Sequence, residues 1–348
     1  GDNSIKPEEK VLRIYPQKNL FSHIIGQIDD DNNGISGLEK SLDEKLKSVQ
    51  EPIRLTVDKD IQYLIRTELI KFNQIFNTIG SAAILMNVNN GEILSLVSLP
   101  DFNPNKREKI IDSNYINRVT KGVYEFGSVF KTFTLAAALN EKIIQPETEF
   151  NDLPKMLNCA GFQIREYDKK IPSDLTAEQI LVRSGNIGSV RIAQQLGEEK
   201  FKLFLSKIGV VEQINFDIEE IGTPIKFNWG KCPLVTASFG HGITTTLLQL
   251  AKAYSIIANG GYDVNPRLIF SNKIKLEKKK VIINKDVSEK ILPILRKIVN
   301  EKEGTASLAN VSGYEIGGKT GTAQKSTSGG YSNKKINSFV SIFPTSKP

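Results

Sequence analysis

Three short segments of this chain carry residue types that could do chemistry. In Gly127-Ser128-Val129-Phe130-Lys131 a serine precedes a lysine by three residues, at the start of an Ala-rich helical run. Residues three apart on a helix share a face, so the amine comes within hydrogen-bond reach of the hydroxyl. A serine hydroxyl is a poor nucleophile without a base, and an amine kept neutral by burial or a nearby cation can serve as one. The same pair also reads as a helix N-cap beside a surface lysine. Ser184-Gly185-Asn186 falls in a break between a helix ending near Arg183 and another beginning near Gly188, where short polar side chains ordinarily act as caps. Gly317-Gly318-Lys319-Thr320-Gly321-Thr322-Ala323 reads as a strand. Its lysine projects to one face and its threonines to the other, and Gly321 leaves room for another backbone to approach. Such an edge can accept an extended peptide as an added strand.

Other chemistries fit the sequence less well. Gly313, Gly318, Lys319 and Thr320 match the phosphate-binding G-x-x-x-x-G-K-T loop letter for letter. That loop must open a helix whose amides point at the phosphates, and the residues after Thr320 have no helical periodicity. A Ser-His-Asp hydrolase would depend on His23 or His241, and the chain has no Gly-x-Ser-x-Gly elbow. His241, in Ser238-Phe239-Gly240-His241-Gly242, is expected to contribute shape rather than a proton. Two cysteines, Cys159 and Cys232, and two histidines give no metal-ligand spacing and no disulfide framework; whether the two cysteines pair stays open. No metal and no cofactor are expected. The 46 Lys+Arg and 39 Asp+Glu leave a net charge of +7 with no basic stripe, so nucleic acid is not an expected partner. The short run Lys278-Lys279-Lys280 reads as a solvated turn.

These groups need a scaffold, and 348 residues suffice for about two domains. Residues 1–52 are polar and weakly periodic, and read as the end of an upstream module plus a linker; residues 53–348 read as the catalytic domain. Ile61, Leu64, Ile65, Leu69, Phe72, Ile75 and Phe76 follow helical spacing behind Asp58, a candidate N-cap, and are expected to lay one apolar face on a sheet. Strands over 81–88 and 92–99, joined through Asn89-Asn90-Gly91, predict an antiparallel hairpin. Thr176-Ala177-Glu178-Gln179 and Thr246-Leu247-Leu248-Gln249 are capping boxes, the second opening a helix that ends at Asn259-Gly260-Gly261. A helix over 287–299 contains Pro293, where a kink is expected. Strands return at 314–324 and 338–343. Strands at both ends with helices between them predict an α+β fold: an antiparallel sheet flanked by helices.

In this order and spacing, Ser-x-x-Lys, Ser-x-Asn and Lys-Thr-Gly are the signature of penicillin-binding proteins and serine β-lactamases. From about Tyr15 onward the chain resembles a class B penicillin-binding protein, a peptidoglycan D,D-transpeptidase. Tyr124-Glu125-Phe126-Gly127-Ser128-Val129-Phe130-Lys131-Thr132-Phe133 looks like the nucleophile motif of that family. Ser238-Phe239-Gly240-His241-Gly242 and Gly318-Lys319-Thr320-Gly321-Thr322-Ala323-Gln324-Lys325 look most like its septal, cell-division branch. The resemblance implies that Ser128 attacks the carbonyl between two D-alanines of a stem peptide and passes the acyl group to a neighbouring strand's amine. Lys131 is then the base, its pKa depressed by Lys319, and Ser184 relays a proton to the leaving group. Asn186 holds the substrate amide. Backbone N–H groups of Ser128 and Thr322 form the oxyanion hole, while Lys319, Thr320, Gly321 and Thr322 bind the substrate's terminal carboxylate segment.

The resemblance further implies β-lactam antibiotics as ligands, membrane proteins of the division complex as partners, and a catalytic domain on the outer side of the cytoplasmic membrane behind an N-terminal anchor. A serine β-lactamase or D,D-carboxypeptidase of the same fold is the alternative. Class A β-lactamases place a water-activating Glu in a Glu-x-x-Leu-Asn segment after Ser-x-Asn, and none follows Asn186; Glu198 and Glu199 belong to a helix start. In the resembled fold another strand and a C-terminal helix follow the strand at 338–343. The chain is therefore expected to continue for several tens of residues beyond Pro348.

Overall fold

Asp58 begins the first long helix. Its carboxylate accepts the backbone N–H groups of Asp60 and Ile61 at 2.9 and 3.0 Å, satisfying donors that a helix start otherwise leaves unpaired. In the computed structural model, which describes residues 12–48, 51–106, 112–159, 161–271, 280–327 and 330–348, this helix is α1, Lys59–Phe76. Lys278, Lys279 and the Val49-Gln50 part of the expected linker lie outside the described residues. Only part of the expected apolar face of α1 docks: Ile61, Ile65 and Leu69 are half-buried, and the helix packs against the strand Ile93–Leu99. Leu64, Phe72, Ile75 and Phe76 are exposed, and the one buried residue of the helix is Gln62. The Gln62 amide donates to Leu20 O and Leu96 O and accepts from the Leu96 N–H and the Ser95 hydroxyl, so a polar clamp fixes the helix. Periodicity marks an apolar stripe; it does not say which surface of the fold covers it.

The predicted hairpin forms as β1 (Ser81–Met86) and β2 (Ile93–Leu99), in register from Ser81↔Leu99 to Met86↔Ile93. Gly91 supplies the positive φ, +76°, that its turn requires. The Ala-rich run is α2 (Lys131–Asn140), preceded by a single 3₁₀ turn, Gly127–Phe130. Every residue from Lys131 to Leu139 is buried, so α2 is the central element of the larger core.

A short hairpin, β3 (Met156–Cys159) and β4 (Phe162–Arg165), precedes α3 (Ala177–Val182), α4 (Asn186–Leu196) and α5 (Glu198–Lys207). Then come α6 (Lys231–Ala237), α7 (Leu247–Ala258) and α8 (Lys285–Asn300), which is one continuous helix through Pro293. Both capping boxes form as read, with Thr176 and Gln179, and Thr246 and Gln249, bonding each other's backbone N–H groups. The last strands, β5 (Gly317–Thr327) and β6 (Gly330–Ile342), form a longer hairpin than the expected segments over 314–324 and 338–343.

Among the described residues the named strands of this α+β fold all pair antiparallel, an isolated bridge between Glu92 and Arg267 is parallel, and α8 packs against β5. The β1–β2 and β5–β6 hairpins are not hydrogen-bonded to each other among the described residues. Residues 12–48 are not a loose tail. Ile24 and Leu38 are buried in a second apolar cluster with Ile93, Leu96, Val119 and Leu248, so this segment shares a core with the rest of the chain. His23 is spent there: Nε2 lies 3.3 Å from Pro100 O and burial pushes its pKa down to about 4.

Cys159 and Cys232 form a disulfide that ties the turn end of the β3–β4 hairpin to α6 across a sequence separation of 73. Closing a loop of that length restricts the unfolded chain by about 4 kcal/mol in a chain-entropy treatment. Removing both thiols (Cys159→Ser with Cys232→Ser) is therefore expected to lower stability by about 2–4 kcal/mol in denaturant unfolding. A loss under about 0.5 kcal/mol would show that the bridge does not constrain the protein in solution.

Candidate active site

The site is assembled where α3 gives way to α4. After α3 the chain passes through Ser184 at φ +58°, a left-handed conformation that costs a non-glycine residue roughly 1–2 kcal/mol. It is held there by Ser184 N–H to Leu181 O at 3.1 Å and Gly185 N–H to Ile180 O at 2.8 Å. The α4 helix then starts at Asn186, two residues before the expected position near Gly188. The sharp turn leaves the Ser184 hydroxyl between two amines, 3.2 Å from Lys131 Nζ and 2.9 Å from Lys319 Nζ.

Those amines come from distant parts of the chain. Lys131 Nζ also donates to Ser184 O and, at 2.6 Å, to Asn186 Oδ1. Lys319, on β5, also donates to Thr320 O at 3.1 Å. Both side chains are almost wholly buried, at 2% and 0% exposure. Burial pushes the Lys131 amine down to about 7, against an opposing effect of the Glu166 carboxylate. Lys319 lies well below the usual lysine range, first because it is buried and second because Lys131 is near. The expected cause is therefore corrected: burial, not the Lys319 charge, makes the Lys131 ammonium acidic enough to lose its proton near neutrality.

Ser128 stands beside this cluster. Gly127, at φ +58°, packs so closely on β5 that an added Cβ would lie 2.4 Å from Thr322 O. Reciprocally, a Cβ on Gly321 would lie 2.2 Å from Phe126 O, so Gly321 does clear room for another backbone, that of the nucleophile turn itself. These contacts bring Ser128 next to Thr322. The predicted Ser128–Lys131 hydrogen bond is not made: among the described residues Ser128 Oγ has no partner, because the Lys131 donors go to Ser184 and Asn186. Such contacts often tighten only when substrate is bound. Gly240 of the Ser238–Gly242 loop is pressed against Gly127, its hypothetical Cβ 2.0 Å from Gly127 O, so this loop shapes the turn that carries Ser128.

On β5, burial alternates as read: Lys319, Gly321 and Ala323 face inward, while Thr320 and Thr322 face the opposite side. Lys319 and the two threonines therefore meet different surroundings. Lys319 and Thr320 sit within an unbroken strand, which removes the phosphate-loop reading. Two residues near the cluster escaped the sequence reading. Thr305 Oγ1 lies 3.0 Å from Thr320 Oγ1, and the Glu166 carboxylate accepts the N–H groups of Asn186 and Ile187 at 2.6 and 2.9 Å. Neither stands in any of the three segments that the sequence singles out. Asn186 Nδ2 donates to Arg165 O at 2.8 Å, so both ends of its amide are engaged within the protein.

Residues 81–348 match the family model described as the penicillin binding protein transpeptidase domain. The chain belongs to that family. Its transpeptidase domain has the same fold as penicillin binding protein 3 from Mycobacterium tuberculosis, complexed with ampicillin, with a TM-score of 0.87, 24% identity, and coverage of 97% of this chain and 81% of that one. Two curated relatives are a probable peptidoglycan D,D-transpeptidase FtsI from Caulobacter vibrioides, 29% identical, and a stage V sporulation protein D from Bacillus subtilis, 31% identical. Each alignment takes in 98% of this chain and 59% of the relative, so the chain spans about three fifths of their length. No helix among the described residues is long and apolar enough to cross a membrane.

Proposed function

We propose that this chain is the acyl-transfer unit of a serine D,D-transpeptidase that cross-links peptidoglycan stem peptides and is acylated by penicillins. The observation that carries the reading is the Ser184 hydroxyl held between two buried amines, Lys131 and Lys319, beside a partly exposed Ser128. Lys131, with a pKa near 7, takes the Ser128 proton as Oγ attacks the carbonyl between the two D-alanines. The C–N bond breaks, and the departing D-alanine amine receives a proton relayed through Ser184. The resulting ester is attacked by an amine of a neighbouring stem peptide, which restores the Ser128 hydroxyl. Backbone N–H groups of Ser128 and Thr322 hold the oxyanion, each such donor being worth about 3 kcal/mol of barrier. Thr320 and Thr322 offer hydroxyls to the terminal carboxylate.

The resemblance to the septal branch and the relative named FtsI support a role in division, with division-complex membrane proteins as partners. A site outside the cytoplasmic membrane is supported by the Cys159–Cys232 disulfide, since such bonds persist in oxidising compartments. Against a β-lactamase stands the sequence after Asn186, which has no Glu-x-x-Leu-Asn segment to activate a water. Incubation with a labelled penicillin is expected to add the full mass of the drug to one serine, and the adduct should persist. Steady turnover of a chromogenic β-lactam at seconds per cycle would replace this reading with the β-lactamase one; the absence of any adduct would remove both.

A further inference from the structure

We propose that Glu166 is a positioning residue for acyl transfer, fixing Asn186 from the β3–β4 hairpin and thereby the amine of Lys131. The proposal rests on the acyl-transfer reading above. The α4 helix begins without a side-chain cap of its own, because its N-cap position is Gly185. The missing acceptor comes from a residue 20 positions upstream: Glu166 Oε2 receives the Asn186 N–H at 2.6 Å and Oε1 receives the Ile187 N–H at 2.9 Å. A carboxylate at a helix N-terminus is held by both the free N–H groups and the helix dipole.

The neighbouring residue completes the grip. Arg165 O accepts from Asn186 Nδ2 at 2.8 Å, and a carbonyl there decides which end of the amide is nitrogen. Oδ1 must then face Lys131 Nζ, 2.6 Å away. Glu166 thus sets the Asn186 backbone, Arg165 sets its side chain, and together they set one of the Lys131 hydrogen bonds. The hairpin that carries them is itself anchored through Cys159 to Cys232 on α6.

Charge gives the arrangement a second consequence. The charged groups that act with Lys131 in this cluster are Glu166, from the segment after β4, and Lys319, from β5; Ser184 and Asn186 are neutral. The Glu166 carboxylate raises the proton affinity of Lys131 while burial lowers it. Removing that negative charge lowers the Lys131 pKa further. A base that must be neutral then becomes competent at lower pH, so the acid limb of the acylation profile moves to lower pH. Loss of the helix cap meanwhile slows acylation at every pH. A residue that only stabilised the fold would move neither the limb nor the rate of the folded protein.

The test is the second-order rate of acylation by a fluorescent penicillin between pH 5 and 10, for the wild type, Glu166→Gln and Glu166→Asp. Folding is checked by circular dichroism. Glu166→Gln is expected to lose about tenfold or more in rate, the scale of a lost charged hydrogen bond, with its acid limb at lower pH than wild type. Glu166→Asp keeps the charge, so its limb should stay in place while its shorter reach lowers the rate. A folded Glu166→Gln variant with an unmoved limb, or a rate within twofold of wild type, overturns the proposal. If Glu166→Gln does not fold, Glu166→Asp decides it: an about tenfold loss with an unmoved limb supports the proposal, and a rate within twofold of wild type overturns it. A wild-type protein that is not acylated at all would instead overturn the acyl-transfer reading.

Discussion

Ser128→Ala is expected to remain folded and to form no penicillin adduct. The Ser128 hydroxyl makes no hydrogen bond within the described residues and is partly exposed, so its removal should change stability by no more than about 0.5 kcal/mol. Acylation in the proposed mechanism, in contrast, needs an oxygen on this turn, because Gly127 and Gly321 bring the turn into contact with β5, which carries the proposed Thr322 donor. Intact-mass measurement after exposure to penicillin, with thermal unfolding of the same sample, separates the two effects. An adduct that survives in Ser128→Ala overturns the assignment. Its position would be informative: a penicilloyl group mapped to Ser184 would make that residue the nucleophile, since its hydroxyl is the one lying between both amines.

Lys131→Arg is expected to slow acylation by about a hundredfold or more, the usual scale for losing a general base. Arginine preserves the positive charge and most of the length, but it does not lose its proton within the accessible pH range. The comparison therefore distinguishes a base from a structural cation. With the Lys131 amine pushed down to about 7, the wild-type rate should rise with pH through neutrality as the amine becomes neutral, and then level. Lys131→Arg should lose this rise together with the rate. Stopped-flow acylation across pH measures both quantities, and a near-normal rate in the variant would make Lys131 a structural residue.

Much of the scaffold was readable because its signals are local. Asp58, Thr176 and Thr246 announce helix starts through side chains that reach only two or three residues, and Asn89-Asn90-Gly91 announces a turn through the conformations those residues tolerate. The alternation along Lys319, Thr320, Gly321 and Thr322 likewise follows from strand geometry alone. The α1 face shows the limit of such reading. Its apolar period is present and Ile61, Ile65 and Leu69 are half-buried, yet the most buried residue is Gln62 at the edge of that stripe, because Leu96, Ser95 and Leu20 present polar atoms to it.

What the sequence determined by itself was a candidate inventory and its order: Ser128 and Lys131, Ser184 and Asn186, then Lys319 with its threonines. Each pattern alone also reads as a cap or a plain strand; it is their joint resemblance to one family's signature that points to acyl transfer before any fold is known. Which group works on which was decided only by the tertiary structure. Ser184 meets two amines that lie 53 and 135 residues away in the chain, and Asn186 is held by a carboxylate 20 residues upstream. The lowered pKa of Lys131 has the same origin, since it depends chiefly on how much water the packed helices and β5 exclude. Burial and long-range hydrogen bonds are properties of surfaces brought together by folding, and no local pattern encodes which surfaces will meet.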